Sequence, residues 1–571
     1  MNGMSRLELL DLPRSLLNRV SKNLSEYAVQ RRLRKHISDV EGDTFVIAGL
    51  PPELTGGLLA RYSRAPTGLR ETFAREFIDA QGNLDVARAK GVMDRVLVQF
   101  GDESVGELEG AHVGIENITQ LVTKSIEDRR IGGSPIEQST RYVRYDAKED
   151  GQWRYLVPKE VKASSSSLQD RFVSANDAAF ELYSEAIKRL IPHFEKVLPR
   201  TEFTIPVKRD ASEVKLHESE LASDDERKAF RIAYGFTIRC AALDVARAVL
   251  PNSTLTHLGV FGNGRYFTHL ISNLESGALV EEQERASALE RELSKTIPTF
   301  IKRHRYLGLR ERDALMNGIA QEAFTGITPN SSGVTLVPRA SDDVELVSSV
   351  LFPYTDLSLE QINGVVQAMP FERKAEILNA YTGTRTSRRD RTGRGTEAGY
   401  PLTFDIVGTF AEYRDLERHR MLLQQRQKIG TLHGFFIPPE FDFVGLSEQA
   451  KEIADRSADL YSTMRHEGLE SAAQYASLFN HRMRFMVGMN ARELQHLAEL
   501  RSQPAGHYGY RAIVQSMARQ AIARNPLLGT TGMLGFVDYS DPGNKIARAH
   551  EQGRIAGKSI ATGIDTSGDL V

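Results

Sequence analysis

The chain has 571 residues, which is too long for one ordinary hydrophobic core, so we expect two or three domains. Its 73 basic and 75 acidic side chains give a net charge of −2, which argues against a broad nucleic-acid-binding surface but not against a local basic pocket. No apolar run is long enough to span a bilayer, no secretory signal is present, and the single cysteine excludes an internal disulfide or a zinc cluster. This combination predicts a soluble cytoplasmic protein without a metal site.

The first 44 residues form a charged leader with helical patterning, and similar patterning recurs along the chain. The predicted helices are 84–99, 107–130, 167–198, 225–250, 264–302, 359–380, 401–418, 446–466 and 491–500. Short β-branched runs at 44–47 and 344–350 predict a small sheet among these helices. The fold class is therefore α+β or α/β.

The first polar landmark along the chain follows the turn residues 132–135. It contains Glu137, Gln138, Ser139, Thr140, Arg141 and Tyr142. The glycines before it allow a ligand to approach the backbone, and a hydroxyl with an arginine suits a phosphate monoester. A polar loop leading into a strand is the plainer interpretation.

Cys240 lies within 231–250, where apolar residues recur at helical spacing. A small buried core residue is the commoner role for such a cysteine, and a nucleophile is the alternative.

A polar triplet with the pattern Asn-x-Arg-x3-His occurs twice. It comprises Asn263, Arg265 and His269, then Asn490, Arg492 and His496, with each pair of matching residues separated by 227 positions. Each asparagine can cap a helix, and the arginine and histidine then share one helix face. Because capping alone seldom repeats a whole triplet, the pattern predicts a duplicated anion-binding domain.

Earlier landmarks support the duplication with a different offset. Arg130 and Glu107 match Arg420 and Glu397 at a separation of 290 residues, so the first copy carries 63 more residues, which we assign to 143–226. Turn residues at 326–343 predict a linker between the copies. The predicted domains are therefore 45–325 and 344–530, between the leader 1–44 and a tail at 531–571.

The last landmark is Arg418, His419 and Arg420, at the end of a predicted amphipathic helix. Cations there complement the helix dipole. However, Arg414 and Arg418 lie one turn apart and repel each other, so either Glu417 offsets the repulsion or an anion binds between them. A basic loop precedes this helix, and it is either solvated or a pyrophosphate clamp; its arginines are Arg385, Arg388, Arg389, Arg391 and Arg394.

Taken together, the order of Glu-Gln-Ser-Thr-Arg-Tyr, Ala-Arg-Ala-Val-Leu-Pro, Asn-x-Arg-x3-His and Arg-His-Arg resembles the flavin-dependent thymidylate synthases. The resemblance covers most of 45–310 and 345–525, as two fused copies. It implies an α+β fold in which each copy is a small sheet with several helices. It also implies FAD as cofactor, NADPH and methylenetetrahydrofolate as co-substrates, dUMP as the pyrimidine nucleotide, and a homodimer that forms a pseudo-tetramer.

The same resemblance assigns site residues. Those expected to hold FAD are Ser104, Asn263, Arg265, His269, Arg418, His419, Arg420, Asn490, Arg492 and His496. Those expected to hold the nucleotide are Glu137, Gln138, Ser139, Thr140, Arg141, Arg247 and Arg501. Arg501 is the catalytic residue, because it polarises the pyrimidine in place of a thiol.

The chain departs from the family pattern at several of these positions. Substitutions stand at Asp102, Leu274, Lys428 and Gln474, where the family has a histidine, an arginine, a serine and an arginine. Pairing Arg418–Arg420 with Arg141 then gives a site without Arg247 and Arg501, and the opposite pairing lacks the serine. Two alternatives stay open: a flavoprotein of the same fold that acts on another nucleotide or a nucleic-acid base, and a non-catalytic nucleotide-binding protein.

Overall fold

The computed structural model describes residues 26–93, 95, 103–129, 131–209, 212–301, 308–331, 333–385, 390 and 392–543. The leader before residue 26, Asp102, Arg130, Arg388, Arg389, Arg391 and the tail after residue 543 lie outside the described residues. The helices are α1 (26–36), α2 (Pro52–Tyr62), α3 (Leu69–Glu76), α4 (Val86–Met93), α5 (Gln120–Glu127), α6 (Lys159–Lys162), α7 (Ser166–Val197), α8 (Asp224–Ala246), α9 (Gly264–Glu275), α10 (Val280–Leu293), α11 (Pro298–Ile301), α12 (Leu309–Ala323), α13 (Asp342–Leu351), α14 (Leu359–Gln367), α15 (Phe371–Thr382), α16 (Phe410–Leu416), α17 (Glu440–Phe443), α18 (Ser447–His466), α19 (Ala491–Arg501), α20 (Tyr508–Arg524) and α21 (Leu527–Thr530). The strands are β1 (Gly110–Thr119), β2 (Gly133–Glu137), β3 (Ile205–Arg209), β4 (Ser212–Leu216), β5 (Leu255–Asn263), β6 (Val334–Leu336), β7 (Leu402–Thr409), β8 (Leu423–Arg426) and β9 (Arg482–Met489).

The fold class is α+β, as the sequence predicts, with small antiparallel sheets among many helices. In the described residues, β1, β5 and β2 form one sheet in that order, β3 and β4 form a hairpin, and β6, β7, β9 and β8 form a second sheet. A bulge at 115–118 gives β1 one residue more than its partner, and Asn117 there adopts a positive φ of 51°.

The same order of elements occurs in both sheets. A strand runs into a short helix capped by a threonine hydroxyl, Thr119 before α5 and Thr409 before α16, and a second strand follows. A longer helix, α8 or α18, then a 3-10 turn and the central strand come next. The central strand ends at Asn263 in the first sheet and just before Asn490 in the second, and the first sheet's segment carries α6, α7 and the β3–β4 hairpin in addition. Each asparagine accepts a backbone N–H of the following helix, so both are N-caps as the sequence predicts. We call β1 to α9 the first half and β7 to α19 the second half.

One hydrophobic core runs through both halves. It contains residues of the first sheet, the second sheet and the long helices α7, α8 and α18. The chain segments that precede the two central strands also bond to each other, since Phe479 N–H donates to Leu250 O at 2.9 Å and Asn252 N–H to Ser477 O at 2.8 Å. The two halves therefore meet through backbone hydrogen bonds as well as packing.

Helices α12 to α15 form a second core that covers the outer face of the second sheet. Leu423 and Met486 of the sheet pack into it, Gln425 Nε2 donates to Ser349 O at 2.7 Å, and Leu359 N–H donates to Asp405 at 2.7 Å. The predicted linker 326–343 is thus more than a spacer, because it supplies β6, which pairs with β7.

Several predicted elements are wrong in type. The run 344–350 is helical within α13, because three carboxylates in the first turn favour a helix start and its apolar side chains pack into the second core. The run 44–47 contributes only an isolated bridge between Ile37 and Ile47. The predicted helices 107–130 and 401–418 each begin as a strand and become helical only after the capping threonine. Their sheet pairing is tertiary and leaves no local signal.

Other predictions are confirmed. Helix α7 spans 32 residues, and α18 and α19 agree with the predicted ranges to within one residue. Cys240 is fully buried in α8, as expected for a core residue. In the described part of the chain, no helix combines the length and the apolar character needed to cross a membrane.

Candidate functional site

A buried charge cluster joins the two halves at the ends of α5 and α16. Lys124 is fully buried, and its ammonium contacts the carboxylate of Glu127, that of Glu137 at 3.1 Å and that of Glu417 at 3.0 Å. Burial lowers the pKa of Lys124, but these three carboxylates outweigh burial and raise it overall. The lysine is therefore a permanent cation that holds the two helix ends together.

Glu137 lies between Arg414 and Arg418 of the other half. Arg414 Nη2 donates to Glu137 Oε1 at 2.9 Å, and Arg418 Nη2 donates to Oε2 at 3.0 Å. Burial raises the pKa of Glu137, but Arg414 and Lys124 reverse this and lower it to about 2. The anion between the two arginines is thus a carboxylate of the protein, and Glu137 is already committed to these ion pairs.

Beyond Glu137, five arginines gather around Asp415, although the sequence analysis divides four of them between two incomplete sites. Four of them, Arg141, Arg247, Arg418 and Arg501, lower the pKa of Asp415 to about 2 against the effect of burial, which raises it. The fifth, Arg414, shares the hydroxyl of Thr140 with Arg247, at 3.0 and 3.2 Å. The predicted division is wrong, because packing of the halves brings all these cations to one place. We call the group formed by Arg141, Arg247, Arg414, Arg418, Arg501 and Asp415 the arginine pocket.

Arg247 is the least satisfied cation of the arginine pocket. Only 2% of the residue is exposed, and its nearest carboxylate oxygens, in Asp244 and Asp415, lie 4.0 Å away. Among the described residues, its Nε and Nη2 have no hydrogen-bond partner. Burial lowers the pKa of Arg247, and Asp244 and Asp415 only partly oppose this. A buried guanidinium with two unused donors can be satisfied by an external anion.

Arg141 is better satisfied. It makes a bidentate ion pair with Asp244, at 2.8 and 3.1 Å, and also donates to Ala505 O at 3.1 Å. The five guanidinium groups of the arginine pocket and the Lys124 ammonium thus face four carboxylates, those of Glu127, Glu137, Asp244 and Asp415, which leaves two positive charges. Glu417 adds little negative charge, because burial raises its pKa to about 8.

Two neutral histidines border the arginine pocket. Arg501 Nε donates to His419 Nε2 at 3.1 Å, so the ring proton lies on Nδ1, which is 3.0 Å from Glu493. Burial lowers the pKa of His419, and burial with Arg247 nearby lowers that of His507. His419 therefore orients Arg501 without adding charge.

An open cleft of about 490 Å³ lies beside the charge cluster, again between the halves. It is lined by Glu107, Leu108, Glu109, Gly110, Ile131, Gly132, Gly133, Ser134, Phe261, Asn263, Arg420 and Met421. Arg420 crosses from the second half and donates to the Ser134 hydroxyl, and Arg265 pairs with Glu107 at the rim. Gly132 has a φ of 83°, which a larger residue rarely adopts.

Glu109 is an unusual acid in this cleft. Its two carboxylate oxygens have no hydrogen-bond partner among the described residues. Burial, with a smaller contribution from Glu53, raises the pKa of Glu109 to about 8, so the side chain is largely neutral at pH 7. The cleft is therefore less acidic than its composition suggests.

The remaining predicted residues are dispersed. Gln138 accepts from the Tyr145 hydroxyl at 3.3 Å, and Ser139 accepts from Arg141 N–H at 3.2 Å, so both stabilise their own loop. Arg492 and His496 are exposed on α19, with the His496 ring 5.4 Å from that of His419.

Two predicted cofactor residues of the first half remain, His269 and Ser104. His269 is half-buried on α9. Ser104 lies in the 3-10 turn Glu103–Glu107, and its side chain is outside the described part.

Sequence reasoning missed Asp244, Asp415, Arg414 as a pocket residue, and His507. Asp415 offered one signal, because it directly follows Arg414 and precedes Arg-His-Arg by three residues. Asp244 likewise precedes Arg247 by three residues, on the helix that leads into the same 3-10 turn. His507 offered none, since its position depends on how α20 packs.

Comparison with known proteins gives a consistent family match. A family model for the thymidylate synthase complementing protein matches residues 59–299 and 400–527. A UPF0159 protein from Chlamydia pneumoniae is 35% identical over 535 residues, 90% of this chain and 95% of that protein. One from Chlamydia muridarum is 33% identical over 537 residues, with the same coverage of both chains. One from Thermoplasma acidophilum is 30% identical over 499 residues, 85% of this chain and 95% of that protein.

Proposed function

This chain belongs to the family of thymidylate synthase complementing proteins, the flavin-dependent thymidylate synthases, and from that membership we propose that it methylates dUMP to dTMP. The proposed reaction uses methylenetetrahydrofolate as one-carbon donor, FAD as cofactor and NADPH as reductant. The arginine pocket is the proposed nucleotide site, and the cleft beside it is the proposed flavin site.

The observation that carries this proposal is the surplus of charge around Arg247. A phosphate monoester bears about −1.5 to −2 charges at neutral pH, close to the two positive charges left in the arginine pocket. Its oxygens would accept from Nε and Nη2 of Arg247, which are buried and lack partners among the described residues. A phosphate would therefore neutralise the surplus positive charge and accept from the unused donors of Arg247.

Arg501 is the proposed catalytic residue. It is partly exposed at the end of α19, and its Nε is fixed by His419, so its remaining N–H groups are free to point at a pyrimidine carbonyl. Donation to that carbonyl would polarise the ring and stabilise the negative charge that develops on the carbonyl oxygen during the reaction. This route uses no thiol, which agrees with the burial of Cys240 in α8.

The residues of the cleft fit a dinucleotide cofactor. Arg420 and Asn263 offer donors for phosphate oxygens, and Phe261 and Met421 offer apolar surface for a flat ring. When bound, the flavin would supply the hydride that turns the transferred methylene into a methyl group. The high pKa of Glu109 reduces its repulsion of the phosphates.

We also propose that the two halves are fused copies of one domain and that the chain forms a homodimer. The repeated order of elements and the matching caps support the first point. For the second, the outer face of the first sheet is open, with Phe261 and Ile136 exposed, while the corresponding face of the second sheet is covered by α13 and α14. A second copy of the chain would cover this open face.

Two measurements test the proposed function. Purified protein, supplied with FAD where needed, is expected to show flavin absorbance and to form dTMP from dUMP when methylenetetrahydrofolate and NADPH are present. Protein that neither retains nor takes up FAD would contradict the cofactor assignment, and bound FAD without dTMP formation would contradict the substrate.

A second candidate is a flavoprotein of the same fold that acts on another nucleotide. The Asp415 carboxylate lies among the guanidiniums, and Arg141 is already paired with Asp244, so the arginine pocket tolerates less ligand charge than five arginines suggest. Rescue of a thymidine auxotroph separates the two candidates, because only a true thymidylate synthase restores growth without thymidine.

A further inference from the structure

We infer that each chain has one nucleotide site, the arginine pocket. The equivalent position of the other half, which we call the joint, is closed by protein side chains and binds no nucleotide. This inference rests on the proposed function for the nature of the ligand. It concerns the number of sites that bind nucleotide, which the family match does not give.

Matching positions in the two halves follow from their shared landmarks. Counting from the capping threonines, Lys124, Ser125 and Asp128 correspond to Arg414, Asp415 and Arg418. Counting from the capping asparagines, Leu274 and Gln474 correspond to Arg501 and Arg247.

Pairing with the central strands extends the correspondence to the strands β2 and β8. Glu137 is opposite Leu258, and Arg426 is opposite Phe485, which occupy the same place in the two sheets. Arg141, four residues beyond Glu137, therefore matches Gly430. Three of the five arginines of the arginine pocket are thus lost without replacement by another cation, at Leu274, Gly430 and Gln474, and a fourth becomes Asp128.

The central ion pair is reversed at the joint. In the arginine pocket, Arg418 donates to Glu137, whereas the corresponding pair has its carboxylate on Asp128 and its guanidinium on Arg426, 3.7 Å apart. A phosphate that approached the joint along the same path would therefore meet a carboxylate where the arginine pocket presents Arg418. A carboxylate beside a phosphate repels it and so disfavours its binding.

The joint is also filled by side chains of the protein. Ser125, which replaces Asp415, donates to the buried carboxyl group of Glu282 at 2.6 Å. Gln474, which replaces Arg247, accepts from Ile429 N–H at 3.0 Å, and Leu274 is buried in the core. Gln474 therefore stands where the arginine pocket has the unused donors of Arg247.

Arg426 and Arg394, which lie near the joint, donate to oxygen atoms of the protein. Arg426 donates to the Tyr413 hydroxyl and to Lys124 O, both at 3.4 Å, and lies beside Asp128. Arg394 donates to Asp128 O and to Gln424 O, and Arg129 Nε is 3.4 Å from the Asp128 carboxylate. Arg426 and Arg394 are thus held by local partners. Arg129 Nε has no hydrogen-bond partner among the described residues, but its side chain is 37% exposed, whereas that of Arg247 is 2% exposed.

Isothermal titration of the full-length chain with dUMP, in the presence of FAD, tests this inference. We expect one dUMP per chain. Arg247→Ala is expected to weaken binding at least ten-fold, and the matched variant Gln474→Ala to change it less than two-fold. Two dUMP per chain, or a comparable loss in Gln474→Ala, would overturn the single-site inference while leaving the proposed function intact.

Further variants guard against misfolding. Arg501→Gln, at a partly exposed position, is expected to weaken dUMP binding with an unchanged far-ultraviolet circular dichroism spectrum, and normal binding by this variant would count against the inference. If the unmodified chain binds no dUMP at all, the proposed function fails, and the count of sites fails with it.

Discussion

Arg247 illustrates how a single residue carries the argument for a ligand. A guanidinium that is almost fully buried normally has partners for most of its donors, because an unpaired buried polar group costs about 1–3 kcal/mol. Arg247 donates to Thr140, but its nearest carboxylates stand 4.0 Å away. Such a cation is poorly satisfied until an anion arrives, and this makes it the residue whose removal should affect binding most.

We predict that Arg247→Met abolishes the stabilisation of the protein by dUMP. Loss of a charge-assisted contact of this kind typically costs about 1.5–3 kcal/mol, which corresponds to a ten- to hundred-fold weaker affinity. Thermal melts with and without dUMP measure the effect as the loss of the ligand-induced rise in Tm. Arg456→Met, on the exposed surface of α18, is the matched control and should retain the rise.

Glu109 gives a prediction on pH. Its pKa of about 8 in the folded protein exceeds the ordinary value of 4.5, so the folded state binds more protons than the unfolded state between these limits. The contribution of Glu109 to stability is therefore highest below pH 4.5 and is lost as pH rises towards 8. Each unit of pKa difference corresponds to about 1.4 kcal/mol.

Glu109→Gln removes this ionisation, so the variant should gain stability relative to the unmodified protein as pH rises from 6 to 9. Urea unfolding at both pH values measures the difference. Glu107→Gln, at the exposed rim of the same cleft, should show no such trend, and a difference that is constant with pH for Glu109→Gln would contradict the raised pKa.

At the scale of elements, α5, α16 and β2 are held in place by charges as much as by packing. Lys124 on α5, Arg414 on α16 and the nearby Arg418 all bind the carboxylate of Glu137 at the end of β2. Lys124, Arg414 and Glu137 are buried, and Arg418 is about one-third exposed. Removing one member of a buried ion-pair network leaves the others uncompensated. The relative position of these elements therefore depends on Glu137.

Glu137→Gln is expected to lower the free energy of unfolding by about 3–5 kcal/mol, as is typical of a broken buried ion pair. Because the folded pKa of Glu137 is about 2 and the unfolded value about 4.5, its contribution is complete above pH 4.5 and is lost as pH falls towards 2. Urea titration at pH 7 measures the loss. Glu116→Gln, exposed on β1, is the control and should behave as the unmodified protein.

At the scale of the whole molecule, the two halves have a similar order of elements but differ in what covers their sheets. On the first sheet, Ile136 is 74% exposed and pairs with Gly259. The corresponding residues of the second sheet, Gln425 and Met486, are buried beneath α13. Helices of the same chain therefore cover one sheet face, and the corresponding face of the other sheet is exposed.

If a second copy of the chain covers this exposed face, Ile136→Lys should convert a dimer into a monomer. A lysine in the middle of an apolar interface must be buried without a partner, which is unfavourable. Light scattering after gel filtration gives the mass directly. Val214→Lys, on the exposed hairpin, should leave the mass unchanged, and an unmodified protein that is already monomeric would contradict the proposed dimer.

Much of the helical framework could be predicted from the sequence, because helices such as α7 and α18 carry local periodicity and short-range caps. The strands β1 and β7 could not, since each runs directly into a helix and only its neighbours in the sheet make it a strand. The run 344–350 is predicted to be a strand because it is rich in β-branched residues. In the structure these residues belong to helix α13 and contribute to its packing.

The sequence by itself determined the family, the repeated triplet, both asparagine caps and most of the arginines that surround the proposed nucleotide site. These are local patterns that can be recognised from the spacing of residues along the chain. Only the tertiary structure decided which arginines meet, because Arg141 and Arg247 reach Arg418 and Arg501 through the packing of one half against the other. It also decided that Glu137 and Asp415 lie among them, since a buried cation needs a counter-charge and the nearest carboxylate in space can be hundreds of residues away along the chain.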